Sequence, residues 1–140
     1  MVTGVGIGIL EIMLFLVTSF CIGCKYKSLK KINVLSYYWL MMTILTMIWE
    51  FFYITNYKKV LSMANNYIVK DVHVWTNQYD LSYVLPWKLS GIFYAEYGAY
   101  ADKEYMLLSD DWSRVIEGSH AMCCGIFALF CIIAKACKKH

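Results

Sequence analysis

Charge and proline are both scarce in this chain. Asp, Glu, Lys and Arg together make up 16% of 140 residues and proline occurs once, at Pro86, whereas 60% of the residues are hydrophobic. That apolar share exceeds what ordinary soluble domains carry and points to a membrane protein of one domain, residues 1–140. Residues 56–111 hold no repeat and no low-complexity tract, and a structureless coil of that length is not expected. There is no basic stripe with interleaved aromatics, so the net charge of +3 is a poor argument for nucleic acid, and no nucleic acid partner is expected. None of the six cysteines lies between residues 56 and 114, so free thiols are expected. C-x-x-C occurs once, at Cys21 and Cys24, and E-x-x-H once, at Glu117 and His120. Metal sites of these types need the pair repeated, so no metal and no cofactor is expected. The cysteines read instead as small apolar residues packing between helices.

Three long apolar runs are present. Gly4 to Cys24 holds one charge, Glu11; Val34 to Thr55 holds one acid, Glu50; Val115 to Ala134 holds Glu117 and His120. Each has about the 20 residues that a helix needs to cross a hydrocarbon core. The runs are continuous and do not alternate, which favours helices over barrel strands. The expected fold is thus an all-α integral membrane protein with spans at about 4–24, 34–55 and 115–134. The first run has no positive segment before it, holds Glu11 and lacks an A-x-A site, so it reads as an uncleaved span.

Charge placement gives the expected orientation. The link between the first two spans holds Lys25, Lys27, Lys30 and Lys31 with no acid, and Lys135, Lys138 and Lys139 follow the third. Short lysine-rich segments stay in the cytoplasm, which puts the C-terminus inside and the N-terminus on the external or lumenal side. Residues 56–114 mix six basic residues with seven acids and belong outside. One face of 58–70 carries Val60, Leu61, Ala64, Tyr67 and Ile68 at helical spacing, either continuing the second span or lying along the interface. Tyr94, Tyr97 and Tyr100 recur every third residue near Trp87 and Phe93, a composition suited to the headgroup layer. An amphipathic, aromatic-rich external segment is therefore expected between spans two and three. Ser109, Asp110 and Asp111 read as caps of the third span.

The acids inside the spans are the costly residues. A charge in mid-helix costs about 2.5–3.5 kcal/mol on insertion scales, so such residues usually face a partner, a cavity or a substrate path. Glu50 and Glu117 lie toward the external ends of their helices and could share a shallow pocket, with Glu11 deeper. Glu117 and His120 share a helix face. Under Trp49, Tyr53 and Trp112 these groups would suit proton transfer or a cationic ligand. The plainer reading is that each Glu reaches water or hydrogen-bonds across helices.

From Tyr38 to Phe130 the order of features resembles the EXPERA family, which includes the emopamil-binding protein, a sterol isomerase, and non-enzymatic relatives. The matching residues are Trp49-Glu50 near a span end, then Tyr94-Ala95 or Glu96-Tyr97, Ala101-Asp102, Tyr105, Asp110 and Glu117, followed by Gly118, Ala121 and Gly125. The likeness needs a longer loop and a one-residue shift between Tyr105 and Asp110. It implies that Glu50 and Glu117 are the pocket acids, catalytic where the family isomerises sterols, facing a carbocation-like intermediate or an amine. It also implies an internal membrane such as the endoplasmic reticulum, or one derived from it. The histidine that the isomerases place one turn before the first acid is here Thr46, and the likeness covers only the first half of the family's bundle.

Two functions of different class follow. One is a structural or accessory subunit of a larger membrane assembly, partnered by lipids, other membrane subunits or its own copies, for which Gly4, Gly6 and Gly8 allow close helix contact. The other is an EXPERA-like protein binding a sterol or a cationic amphiphile, enzymatic only if self-association completes the pocket.

Overall fold

The structure, a computed structural model, describes residues 1–102 and 111–137, with side chains except those of 111–114. The described residues form four helices: α1 (Gly4–Lys25), α2 (Val34–Lys70), α3 (Pro86–Glu96) and α4 (Asp111–Ala136). Three of them, α1, α2 and Val115–Ala136 within α4, are long and apolar enough to cross a membrane. Three of the starts have a local cause. Thr3 Oγ1 accepts from Gly6 N at 3.2 Å to cap α1, Asn33 Oδ1 accepts from Leu35 N at 2.9 Å to cap α2, and Pro86 opens α3, where its missing N–H costs nothing.

Helix α2 runs for 37 residues, or roughly 55 Å at about 1.5 Å per residue, well beyond the apolar run 34–55. Its extension is bent at Asn56, whose φ of −120° and ψ of 17° leave the helical region. The carbonyls freed there are met by side chains: Asn56 Nδ2 donates to Phe52 O at 3.0 Å and Thr55 Oγ1 to Phe51 O at 2.8 Å. The extension ends at Asp71, in the left-handed region at φ 50°, and Val72 N closes onto Tyr67 O at 3.1 Å.

The extension has a covering. Beyond its left-handed end the chain turns back, and α3 with the turn that follows it packs along α2, Ala95 and Ala99 against Tyr53, Val60 and Ala64, all buried. The buried Val60 and Ala64 belong to the face legible in the sequence; Ile68 on that face stays exposed. After α3 the chain continues through Tyr97–Ala101 as one wide π turn, with Asp102 N bonded to Tyr97 O at 2.9 Å. The segment 71–102 is thus packed on α1 and α2.

A two-residue pairing qualifies the all-α expectation: β1 (Val2–Thr3) lies antiparallel to β2 (Gln78–Tyr79). It clips the start of α1 to the returning segment, and Ile7 is buried with Val74, Tyr79, Leu89 and Ile92. Gly4 and Gly8 serve this contact. A Cβ on Gly4 would lie 2.2 Å from Val74 O, and one on Gly8 2.9 Å from the Phe93 ring. These glycines seat the chain's own loop and α3, a use that the sequence expectation of contact with another subunit did not include.

At the opposite end a third cluster joins Leu29, Tyr37, Met41, Ile44, Ala128 and Ile132. Tyr37 OH donates to Ser19 O at 2.6 Å, and Ser28 Oγ to Ala136 O at 3.4 Å. The link 26–33 therefore meets the end of α4, which gathers Lys25, Lys27, Lys30, Lys31 and Lys135 at one end. All six cysteines are free, and all six are exposed. The expectation of free thiols holds, whereas the packing between helices assigned to them is corrected: alanine and glycine fill those contacts.

Candidate functional site

At the other end α2, α3, the π turn and α4 border an open cleft of about 530 Å³, lined by Trp49, Glu50, Trp75, Phe93, Tyr94, Glu96, Tyr97, Tyr100, Ala101 and Glu117. It combines three carboxylates and six aromatic rings, and no basic side chain is among the described residues lining it. A small residue brings α4 against α2 at the site. A Cβ on Gly118 would stand 2.6 Å from Ile54 Cδ1 and 3.4 Å from Glu50 Oε1, so the small residue lets the Glu117 turn come down beside Glu50.

The three acids are held differently. Glu50 is buried and accepts a hydrogen bond from Tyr94 OH, and the Tyr94 ring is stacked on Tyr53 with centroids 4.4 Å apart. Glu96 is also buried; it faces His73 Nδ1 at 2.9 Å through Oε1 and accepts from Val74 N at 3.0 Å through Oε2. Glu96 thereby fastens the 72–77 turn to α3. Glu117 is exposed, the most accessible carboxylate of the three. The two buried acids are thus held by hydrogen bonds while the third is exposed.

The aromatic walls are anchored in turn. Trp49 Nε1 donates to Glu11 Oε1 at 3.0 Å, and the Trp49 and Trp75 rings lie 5.6 and 5.4 Å from Phe93. Glu11, deeper in α1, thus acts on the cleft through the indole. Tyr100 OH donates to Tyr67 O at 2.9 Å and Val72 O at 3.1 Å, with its ring 4.1 Å from that of His73. Burial, then the negative charges of Asp102 and Glu117, raise the Tyr97 phenol above its ordinary range. Burial, then Asp71 and Glu96, raise Tyr100. In both, desolvation comes first and the neighbouring carboxylates add to it.

Of the residues singled out in the sequence, Glu50, Glu117 and Trp49 line the cleft. Tyr53 lies behind it, buried under Tyr94. His120 is exposed and outside the lining. The Trp112 side chain, with the expected cap residues Ser109 and Asp110 and the family-matched Tyr105, lies outside the described residues; so does the Asp111 side chain, although Asp111 begins α4. Thr46 is exposed, and its hydroxyl donates to Thr43 O at 2.9 Å. Among the described residues no group of three or more His, Cys, Asp or Glu is placed to hold a metal. Tyr94 and Glu96 were named in the sequence only as family-matched positions and His73 not at all, because their partners lie 44 and 23 residues away; the tyrosine spacing marked the face without naming its contacts.

Glu96→Ala tests the fastening. With the carboxylate gone, Val74 N and His73 lose their acceptor, at a cost of about 1–3 kcal/mol. Amide exchange in 72–77 should rise while α4 stays protected; unchanged exchange there would contradict the role. Comparison of the chain with protein-family models, with curated proteins and with solved structures finds no match.

Proposed function

We propose that the chain spans a membrane three times and binds an amphiphile with a cationic, amine-type headgroup in the cleft. One observation carries the reading: three carboxylates and six aromatic rings with no basic side chain among the described lining residues. Carboxylates and aromatic faces attract a cation together, and desolvation by the rings strengthens both. Glu117, at the opening, makes the direct contact; Glu50 and Glu96 set the field behind it; Trp49, Trp75 and Phe93 take the apolar part. The resemblance to the EXPERA family supports the same two acids, Glu50 and Glu117, facing an amine or a sterol. Binding is proposed rather than isomerisation, because Thr46, where those isomerases hold a histidine, bonds its own helix backbone and brings no proton-transfer group.

The lysines gathered at the far end support an orientation with that end cytoplasmic and the cleft external or lumenal. An accessory-subunit role is the second reading. It is favoured by the broad apolar faces of α1 and α4, where Met13, Val17, Phe20, Phe127 and Phe130 are all more than half exposed and would be covered by lipid or by another helix.

The test uses the protein in mild detergent with a fluorescent quaternary-ammonium amphiphile. Glu117→Gln removes one charge at an exposed position and should weaken binding about tenfold, the equivalent of about 1.4 kcal/mol, with thermal stability unchanged. Equal affinity of Glu117→Gln and the parent chain would sink the assignment.

A further inference from the structure

A second concavity lies at the opposite, lysine-bearing end, where α1, the 26–33 link and the start of α2 meet. It measures about 240 Å³, and its lining includes Phe20, Cys24, Lys30, Ile32, Val34 and Tyr38. Apart from Lys30 these are apolar, aromatic or thiol side chains, and Phe20, Val34 and Lys30 are exposed, so the groove opens to the surroundings. Its charge is one-signed. From Ile12 to Trp49 the chain has no acid, while Lys25, Lys27, Lys30 and Lys31 cluster in one short stretch. The start of α2 adds the positive end of a 37-residue helix, capped by the neutral Asn33, and so favours a negative group in the same place. Two exposed aromatics, Tyr26 and Trp39, stand near in sequence on either side, residues suited to headgroup depth.

From this geometry we infer a second binding site, for an anionic phospholipid: an acyl chain lies in the groove along Phe20, Ile32 and Tyr38, and the phosphate is held by Lys30 with the neighbouring lysines. Both parts are needed. Exposed lysines hold a free phosphate weakly in water, and an apolar groove alone does not distinguish one lipid from another. The site rests on the membrane reading above, but not on the ligand of the cleft, which lies at the other end.

The experiment counts lipids retained by the purified full chain in detergent, by native mass spectrometry, with phosphatidylglycerol and phosphatidylcholine of matched acyl chains. One phosphatidylglycerol per chain should be held in preference. Lys30→Gln should weaken it about fivefold, the scale of one lysine at a lipid surface. Cys24→Phe fills the groove without changing charge and should weaken it at least as much. Lys59→Gln, an equal loss of charge beyond the Asn56 bend, should leave it unchanged, and millimolar inorganic phosphate should not displace the lipid. Equal retention of the two lipids, equal loss in Lys30→Gln and Lys59→Gln, full retention in Cys24→Phe, or displacement by phosphate would each overturn the site. Extraction of the chain from membranes by alkaline carbonate would instead refute the membrane reading itself; a chain that stays in the membrane and shows no anionic preference refutes the site alone.

Discussion

Gly125→Leu should part α4 from α2. A Cβ at position 125 would lie 2.2 Å from Met47 Cβ and 2.6 Å from Met47 Cγ, far inside van der Waals contact and against an atom next to the backbone. Met47 cannot clear this by turning its far end, so one helix must move. The neighbouring contacts, Ala128 and Ile132 against Met41 and Ile44, would open with it. Overpacking of this kind costs up to about 3 kcal/mol, and more where backbone must shift. Gly91→Ala supplies the contrast: a Cβ there meets nothing within 4 Å, and within α3 alanine gains up to about 1 kcal/mol over glycine. Thermal unfolding in detergent should therefore move down for Gly125→Leu and slightly up for Gly91→Ala. A Gly125→Leu protein that melts with the parent chain would mean that α2 and α4 are not joined at Met47.

The second large effect falls on Glu50, where leucine and glutamine should behave differently. Glu50 is buried and accepts from Tyr94 OH, whose ring stacks on the buried Tyr53. Leucine removes the acceptor and leaves the Tyr94 hydroxyl facing an apolar group, at about 1–3 kcal/mol. Through the Tyr53 stack the loss extends to the packing of α3 on α2. Glutamine keeps a carbonyl oxygen for Tyr94 but no charge. Glu50→Leu should lower both thermal stability and amine binding, whereas Glu50→Gln should keep most of the stability and lose about tenfold in binding. Equal destabilisation by the two would show that the charge, not the acceptor, holds this corner together.

The legible part of this fold was the part that periodicity and run length determine. Three apolar runs became three helices, and the spacing of Val60, Leu61, Ala64, Tyr67 and Ile68 left open a continuation of the second span or an interfacial helix, of which the structure has the continuation. The depth of Glu50 and Glu117 along their helices was enough to expect them near one another, and both line the cleft. Other features left no local trace. The pairing of Val2–Thr3 with Gln78–Tyr79 spans more than 70 residues and involves only two residues on each side. Glu96 stood among the family-matched residues without a partner; its contacts are to His73 and Val74, which only the reversal after Asp71 brings within reach. The glycines at 4 and 8 signalled close approach without naming Val74 and Phe93 as the neighbours. The outward cysteines show the limit of residue-type preference where lipid, not water, is the expected surroundings: an apolar environment outside the bundle removes the drive to bury a thiol within it.

The central claim is that the cleft selects positive charge on an amphiphile. The most direct test leaves the protein unaltered and varies only the ligand: two amphiphiles with one tail, one ending in a quaternary ammonium and the other in its neutral carbon isostere, competed against each other on the parent chain in detergent. A carboxylate-and-aromatic site should favour the cation by about tenfold or more, with the preference shrinking as salt screens Glu117 at the opening. Equal affinity for the two, or tighter binding of the neutral compound, would contradict the account.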